Sequence, residues 1–152
     1  MAADAAIHED VETLLRRADQ RYTKGRRQLV DTLLAGGGPM TIAQILHRDR
    51  RLAQSSVYRN LQILEQVGAV VRIVTRDDYA RFELAEQLTD DHHHHLICTT
   101  CGDVADFALT AATESSLEKA LRTAARKAGF AAEGHRLDLV GQCATCHRSE
   151  AT

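Results

Sequence analysis

Two C-x-x-C hooks, Cys98-Thr99-Thr100-Cys101 and Cys143-Ala144-Thr145-Cys146, constrain this chain more than any other feature, and they hold all four of its cysteines. They lie about 40 residues apart, and each can set two thiolates on one tetrahedral ion. The acidic start, Met1 to Asp10, lacks the basic region and apolar core of a signal peptide, and no apolar run reaches membrane-spanning length. The expected compartment is therefore the cytoplasm, where paired thiols are better explained by a metal than by disulfides. A closed four-sulfur site favours zinc and leaves no open position for catalysis, so it reads as structural. A redox dithiol needs only one such motif, in a thioredoxin-like setting.

Charge divides the chain. Residues 1–75 carry 11 Lys and Arg against 8 Asp and Glu, whereas residues 76–152 carry 8 against 13. A basic half suits phosphates, and an acidic, histidine-rich half suits divalent cations. Within the second half stands His92-His93-His94-His95. On a strand alternate side chains point to opposite faces, so one run can feed two metal sites, His92 with His94 and His93 with His95. Nitrogen and oxygen ligands suit Fe(II), Zn(II), Mn(II) or Ni(II).

Hydrophobic spacing supplies the frame. Ile7, Val11, Leu14, Leu15 and Ala18 recur at helical period, as do Leu29, Val30, Leu33 and Leu34. Gly36-Gly37-Gly38-Pro39 stops the second helix, and Thr41 with Gln44 forms a capping box opening a short third one over Ile42, Ile45 and Leu46. Ser55 or Gln54 is expected to cap a longer helix that buries Val57, Leu61 and Leu64 and ends at Gly68. Val70 to Val74, a turn at Arg76-Asp77-Asp78, and Tyr79 to Leu84 read as a hairpin. Helices followed by a hairpin predict a winged helix.

Short strands at His92 to Ile97, Val104 to Phe107 and around Leu137 and Leu139, with a helix from Leu117 to Ala128, predict a small α/β unit. The expected class is α+β: a winged helix-turn-helix DNA-binding domain over 1–85, a hinge over 86–91 and a small α/β metal-binding unit over 92–152, the unit that the family resemblance given below implies is the dimerisation domain. The helix after the basic turn offers Ser55, Ser56, Tyr58, Arg59, Asn60 and Gln62 to groove edges and phosphates, and Lys24 and Arg26 add cations for the backbone.

Ser56-Val57-Tyr58-Arg59-Asn60-Leu61, Phe82-Glu83-Leu84, the segment from His92 to Gly102 and the late C-x-x-C together resemble the ferric uptake regulator (Fur) family over about residues 12 to 146. The resemblance implies a dimeric, metal-dependent repressor that binds palindromic double-stranded operator DNA and controls metal homeostasis genes. It implies a structural zinc on Cys98, Cys101, Cys143 and Cys146, a dimerisation-domain site on His92, His94, Glu118 and His135, and a hinge regulatory site on Glu83, His93, His95 and Asp106. The regulatory ion is expected to be Fe(II) or Zn(II), with Mn(II) and Ni(II) as further candidates.

There are departures. Met40 or Thr41 stands where many members have a histidine, the segment from Cys101 to Glu118 is several residues longer, and His94 replaces a common aspartate. Asp106 resembles the peroxide-sensing branch. A homodimer is expected, with pairing into tetramers left open, and neither a membrane nor a small-molecule substrate is expected as a partner. Two other classes compete: a metal-dependent hydrolase or oxygenase, for which no nucleophile motif or H-E-x-x-H is present, and a zinc-ribbon adaptor, in which the winged helix would be idle.

Overall fold

Helix α1 (Ala2–Arg17) turns Ile7, Val11 and Leu15 inward against Leu29, Val30 and Leu33 of α2 (Lys24–Gly36), the pairing that their helical spacing predicts. The computed structural model describes residues 2–75, 79–89 and 92–150, so the expected turn at 76–78 and the Asp90-Asp91 boundary lie outside the described residues. Thr23 caps α2 by accepting the Arg26 N–H, and left-handed Gly37 (φ 69°) ends it. His8 ties the first two helices together: its ring nitrogens lie 2.6 Å from the Tyr22 hydroxyl and 2.8 Å from the Asp31 carboxylate.

After β1 (Met40–Thr41) comes α3 (Ile42–Arg48), opened by the expected capping box: Thr41 accepts the Gln44 N–H at 3.2 Å, and the Gln44 side chain accepts the Thr41 N–H at 2.8 Å. α4 (Gln54–Gln66) departs from expectation at its start. Its N-cap is Ala53, which has no side-chain acceptor, so Gln54 and Ser55 lie inside the first turn rather than capping it. Asp49 organises the intervening turn instead, accepting from Arg51 N–H at 3.0 Å and from Gln28 Nε2 of α2 at 2.8 Å. Gly68 (φ 76°) follows α4, where Ala69 N–H returns to Leu64 O at 2.9 Å.

β2 (Val70–Val74) and β3 (Ala80–Leu84) form the wing, and β1 joins the outer edge of β3, giving the antiparallel order β1-β3-β2. Leu15, Leu29, Ile45, Leu61 and Leu64 fill the core between these elements. Each such side chain contributes about 1.5–3 kcal/mol by leaving water.

The second half is built differently. A short helix α5 (Glu86–Thr89) occupies the expected hinge and docks Leu88 into the first core. β4 (His94–Cys98) starts at His94 rather than His92, and it is the centre of a second sheet, β5-β4-β6. β5 (Val104–Phe107) lies antiparallel to it, and after α6 (Ala111–Lys127) the last strand, β6 (Asp138–Gly141), returns parallel. α7 (Ala144–Glu150), not anticipated from the sequence, carries the last cysteine. The class is α+β, a winged helix followed by a small α/β unit. Among the described residues no helix is long and apolar enough to cross a membrane.

Candidate metal centres

Cysteine pairing fixes the first cluster. The β4–β5 turn carries Cys98 and Cys101 around left-handed Gly102 (φ 72°), and the end of β6 delivers Cys143 and Cys146 opposite, with Thr99 N–H bonded to Gly141 O at 2.7 Å. All four sulfurs lie within 4.8 Å of one another. Cys101 Sγ and Cys143 Sγ are 3.9 Å apart, too far for a disulfide and close to the ~3.8 Å edge that metal–sulfur bonds of about 2.3 Å impose on a tetrahedron. The backbone N–H groups of Cys101 and Cys143 pull the Cys98 thiol down to about 6, while the hydrogen bonds that the Cys146 thiol donates to neighbouring cysteines push it up to about 12. Four thiols this close resist joint ionisation unless a cation neutralises them, which is the chemistry zinc supplies when bound.

The histidine run divides as its alternation predicts. His92, His94 and His135 surround one carboxylate, with Nε2 atoms 3.1, 2.8 and 3.0 Å from the nearest oxygens. That carboxylate belongs to Glu114 and not to Glu118. Glu118 lies one turn further along α6, exposed, and pairs with Arg122 at 2.6 Å. The reason is local: Thr110 caps α6, which sets Glu114 in the first turn beside the histidines, and one turn of rise carries Glu118 about 6 Å away. Hydrogen bonding to His94 holds the Glu114 carboxyl below its usual range. His94 is 1% exposed and its Nδ1 is buried without a hydrogen-bond partner, while the buried His135 Nε2, 3.0 Å from Glu114 Oε1, is not aligned for a hydrogen bond to it. A buried imidazole nitrogen left unbonded beside a carboxylate is a donor set that fits a divalent cation.

The third cluster joins the two sheets. Glu83 comes from the wing strand β3, whereas His95 comes from the start of β4, His93 from the residue just before that strand, and Asp106 from β5. His95 Nε2 lies 3.0 Å from Glu83 Oε1 and 3.9 Å from Asp106 Oδ1, and His93 Nε2 lies 3.3 Å from Glu83 Oε2. Glu83 and His95 are both buried, and the hydrogen bond that the His95 ring donates to Glu83 raises it above its ordinary value. A cleft of about 560 Å³ lined by Glu83, Glu86, His92, His93, His95 and His135 opens both histidine clusters to solvent. Glu86, unmarked by any motif, stands between them: Oε2 lies 2.8 Å from His92 Nδ1, and Oε1 accepts the His93 N–H.

In the first half, α4 presents Ser55, Ser56, Tyr58, Arg59 and Gln62 outward. Together with Arg72 and Tyr79 of the wing, several of them line a groove of about 920 Å³. Arg72 and Tyr79 escaped the sequence reading because their place opposite α4 depends on how the hairpin folds back. Two expected contacts are otherwise engaged. Arg26 is buried, its guanidinium bonded to Arg21 O and Gln20 Oε1. Asn60 is half-buried, its amide facing Gly25. Lys24 remains exposed.

Residues 17–140 match the ferric uptake regulator family. The chain belongs to that family. It is 34% identical over 134 residues to the ferric uptake regulation protein of Brucella abortus, covering 86% of this chain and 89% of the relative. It is 28% identical over 151 residues to the peroxide operon regulator of Bacillus subtilis, covering 95% and 98%. The structure of the Helicobacter pylori ferric uptake regulator superposes with a TM-score of 0.73 at 24% identity, over 95% of this chain and 93% of that one. Ferric uptake regulators and peroxide regulators are transcription regulators, so the metal-ligand chemistry and the winged helix of this family member belong to one regulatory protein.

Proposed function

We propose that the protein is a metal-responsive transcriptional repressor that binds palindromic operator DNA as a homodimer, in the cytoplasm, when Fe(II) or Zn(II) occupies the cluster of Glu83, His93, His95 and Asp106. The observation that carries this reading is the origin of the ligands: Glu83 belongs to the sheet bearing α4, and the other three belong to the second sheet or lead into it. An ion bound across that junction fixes the recognition helix, and biases the population only as far as it binds the DNA-competent form more tightly. Residues 1–85 act as the DNA-binding unit, 86–91 as the hinge and 92–152 as the dimerising unit. Zinc on Cys98, Cys101, Cys143 and Cys146 holds the second sheet, and His92, His94, Glu114 and His135 bind a further divalent ion.

Dimerisation is supported by what lacks cover in the second half. No described residue of α6 is buried, and Leu96, Leu139 and Val140 stand exposed on the sheet. Monomers rarely leave such a face open. At the DNA, α4 enters the major groove while Ser55, Ser56, Tyr58, Arg59 and Gln62 meet bases and phosphates.

The test is operator binding under anaerobic conditions, titrated separately with Fe(II), Zn(II), Mn(II) and Ni(II) at buffered free concentrations. Metal is expected to tighten binding at least about tenfold, within the usual range of coupling energies, and Glu83→Ala or His95→Ala is expected to abolish the effect while leaving a folded dimer. Equal affinity in the metal-stripped protein rejects the proposal. A second reading, peroxide sensing, is favoured by Asp106 and by the Bacillus subtilis relative. Its signature is loss of binding with an oxygen added to one histidine when the Fe(II) form meets peroxide.

A further inference from the structure

Asp138 belongs to none of the three clusters, yet the fold sets it against one of their histidines. His95 occupies the middle strand of the second sheet, and its partners across the two neighbouring strands are Asp106 on β5 and Asp138 on β6. The two carboxylates meet different nitrogens of the ring. Asp106 Oδ1 lies 3.9 Å from Nε2, beside the Glu83 oxygen at 3.0 Å, while Asp138 Oδ1 lies 3.2 Å from Nδ1. Because the two ring nitrogens point away from each other, a carboxylate on Nδ1 cannot reach an ion held at Nε2. Asp138 can act on that ion only through the imidazole.

Its own position is fixed on the far side. Arg136 donates from Nε to Asp138 Oδ1 at 3.1 Å and lies 3.0 Å from Oδ2, so the carboxylate is held by a two-point clamp. His95 and Asp138 are 6% and 27% exposed at their side chains, and so water competes little for the bond between them. A neutral imidazole carries one proton, and with an ion on Nε2 that proton stays on Nδ1, where a fixed acceptor meets it. Glu86 stands in the same relation to Nδ1 of His92 at the second cluster, at a more exposed position.

Resting on the hinge-metal reading above, we propose that Asp138, clamped by Arg136, is the positioning residue of that site: it accepts a hydrogen bond from the Nδ1–H of His95 and so presents the unprotonated Nε2 to the ion. Outer carboxylates of this kind fix ring orientation and raise ligand basicity, and their loss costs about 10- to 100-fold in metal affinity.

The experiment titrates Co(II) against a competing chelator into the full-length zinc-loaded protein, in a Glu114→Ala background that silences the second histidine cluster. Asp138→Ala is expected to weaken Co(II) binding by about 10- to 100-fold, and Asp138→Asn, which keeps an oxygen acceptor, is expected to recover much of that loss. Zinc content at the cysteines should stay the same in both. A long-range proton–nitrogen spectrum of the Zn(II)-loaded protein should place the proton of His95 on Nδ1, with that proton lost to solvent exchange in Asp138→Ala. Co(II) affinity in Asp138→Ala equal to the parent, while His95→Ala loses the site, overturns the role of Asp138 alone. Unchanged Co(II) binding in His95→Ala overturns the hinge site and this inference with it.

Discussion

Glu114 and Glu118 differ by one helical turn, and that turn separates a carboxylate ringed by three imidazoles from one paired with Arg122 in solvent. Substituting Glu114 by Ala is expected to remove the second histidine-site ion, seen as the loss of one metal equivalent in equilibrium dialysis. Glu118→Ala should keep it. Equal stoichiometry in the two variants would return the assignment to open ground. Asp49 makes a different residue-scale prediction. Hydrogen bonds from Arg51, then Gln28, hold its carboxyl well below the ordinary 3.8. A group depressed on folding contributes stability above its ordinary value and loses it as pH falls through the folded one. The thermal midpoint of Asp49→Asn should therefore lie below wild type at neutral pH, with the gap narrowing as both are acidified below the carboxylate range. A gap that stays constant with pH would show that the charge of Asp49 does not matter.

At the scale of elements, β6 links two of the clusters of the second half. It starts at Asp138 beside His95 and ends at Gly141 beside Cys98, so one short strand spans the hinge cluster and the cysteine cluster. Four residues of strand with half-buried or exposed side chains hold little apolar packing of their own, and the metal-ligand bonds at its end must supply the constraint. Stripping the zinc, or substituting Cys143 by Ser, is expected to loosen β6, break the dimer and weaken hinge metal affinity together. Hydrogen exchange at Leu139 and Val140 would report the first effect and sedimentation the second. Faster exchange without dissociation would confine the zinc to local order.

The whole molecule is asymmetric in how it is held. Its first half buries a continuous core from Ile7 to Leu88, while the second leaves α6 uncovered and exposes Leu96, Leu121, Phe130, Leu139 and Val140. Such a unit needs a partner surface, and a second copy supplies it in the proposed dimer. Leu139→Glu is expected to yield monomers that keep the winged helix and bind operator DNA more weakly by a factor of about 100 or more, since one half-site forfeits the second set of phosphate contacts. Sedimentation and gel-shift titration would check this, and an intact dimer would place the interface elsewhere.

Much of this was legible in one sequence because it depends on local periods. The helical spacing, the capping box at Thr41, the glycine stops at Gly37 and Gly68, the two C-x-x-C hooks and the split of the four histidines all follow from contacts within a few residues. What the sequence left undecided was whatever depends on register between distant segments. Glu114 and Glu118 look alike until the N-cap at Thr110 sets where α6 begins, and Asp138 acquires meaning only when β6 pairs with β4. Arg26 reads as a free cation until its guanidinium is found closing a loop, while Arg72 and Tyr79 become groove walls only when the hairpin folds over α4. Local order is written in neighbouring side chains, whereas a site is a meeting of strands and helices whose relative placement is chosen by packing over the whole chain.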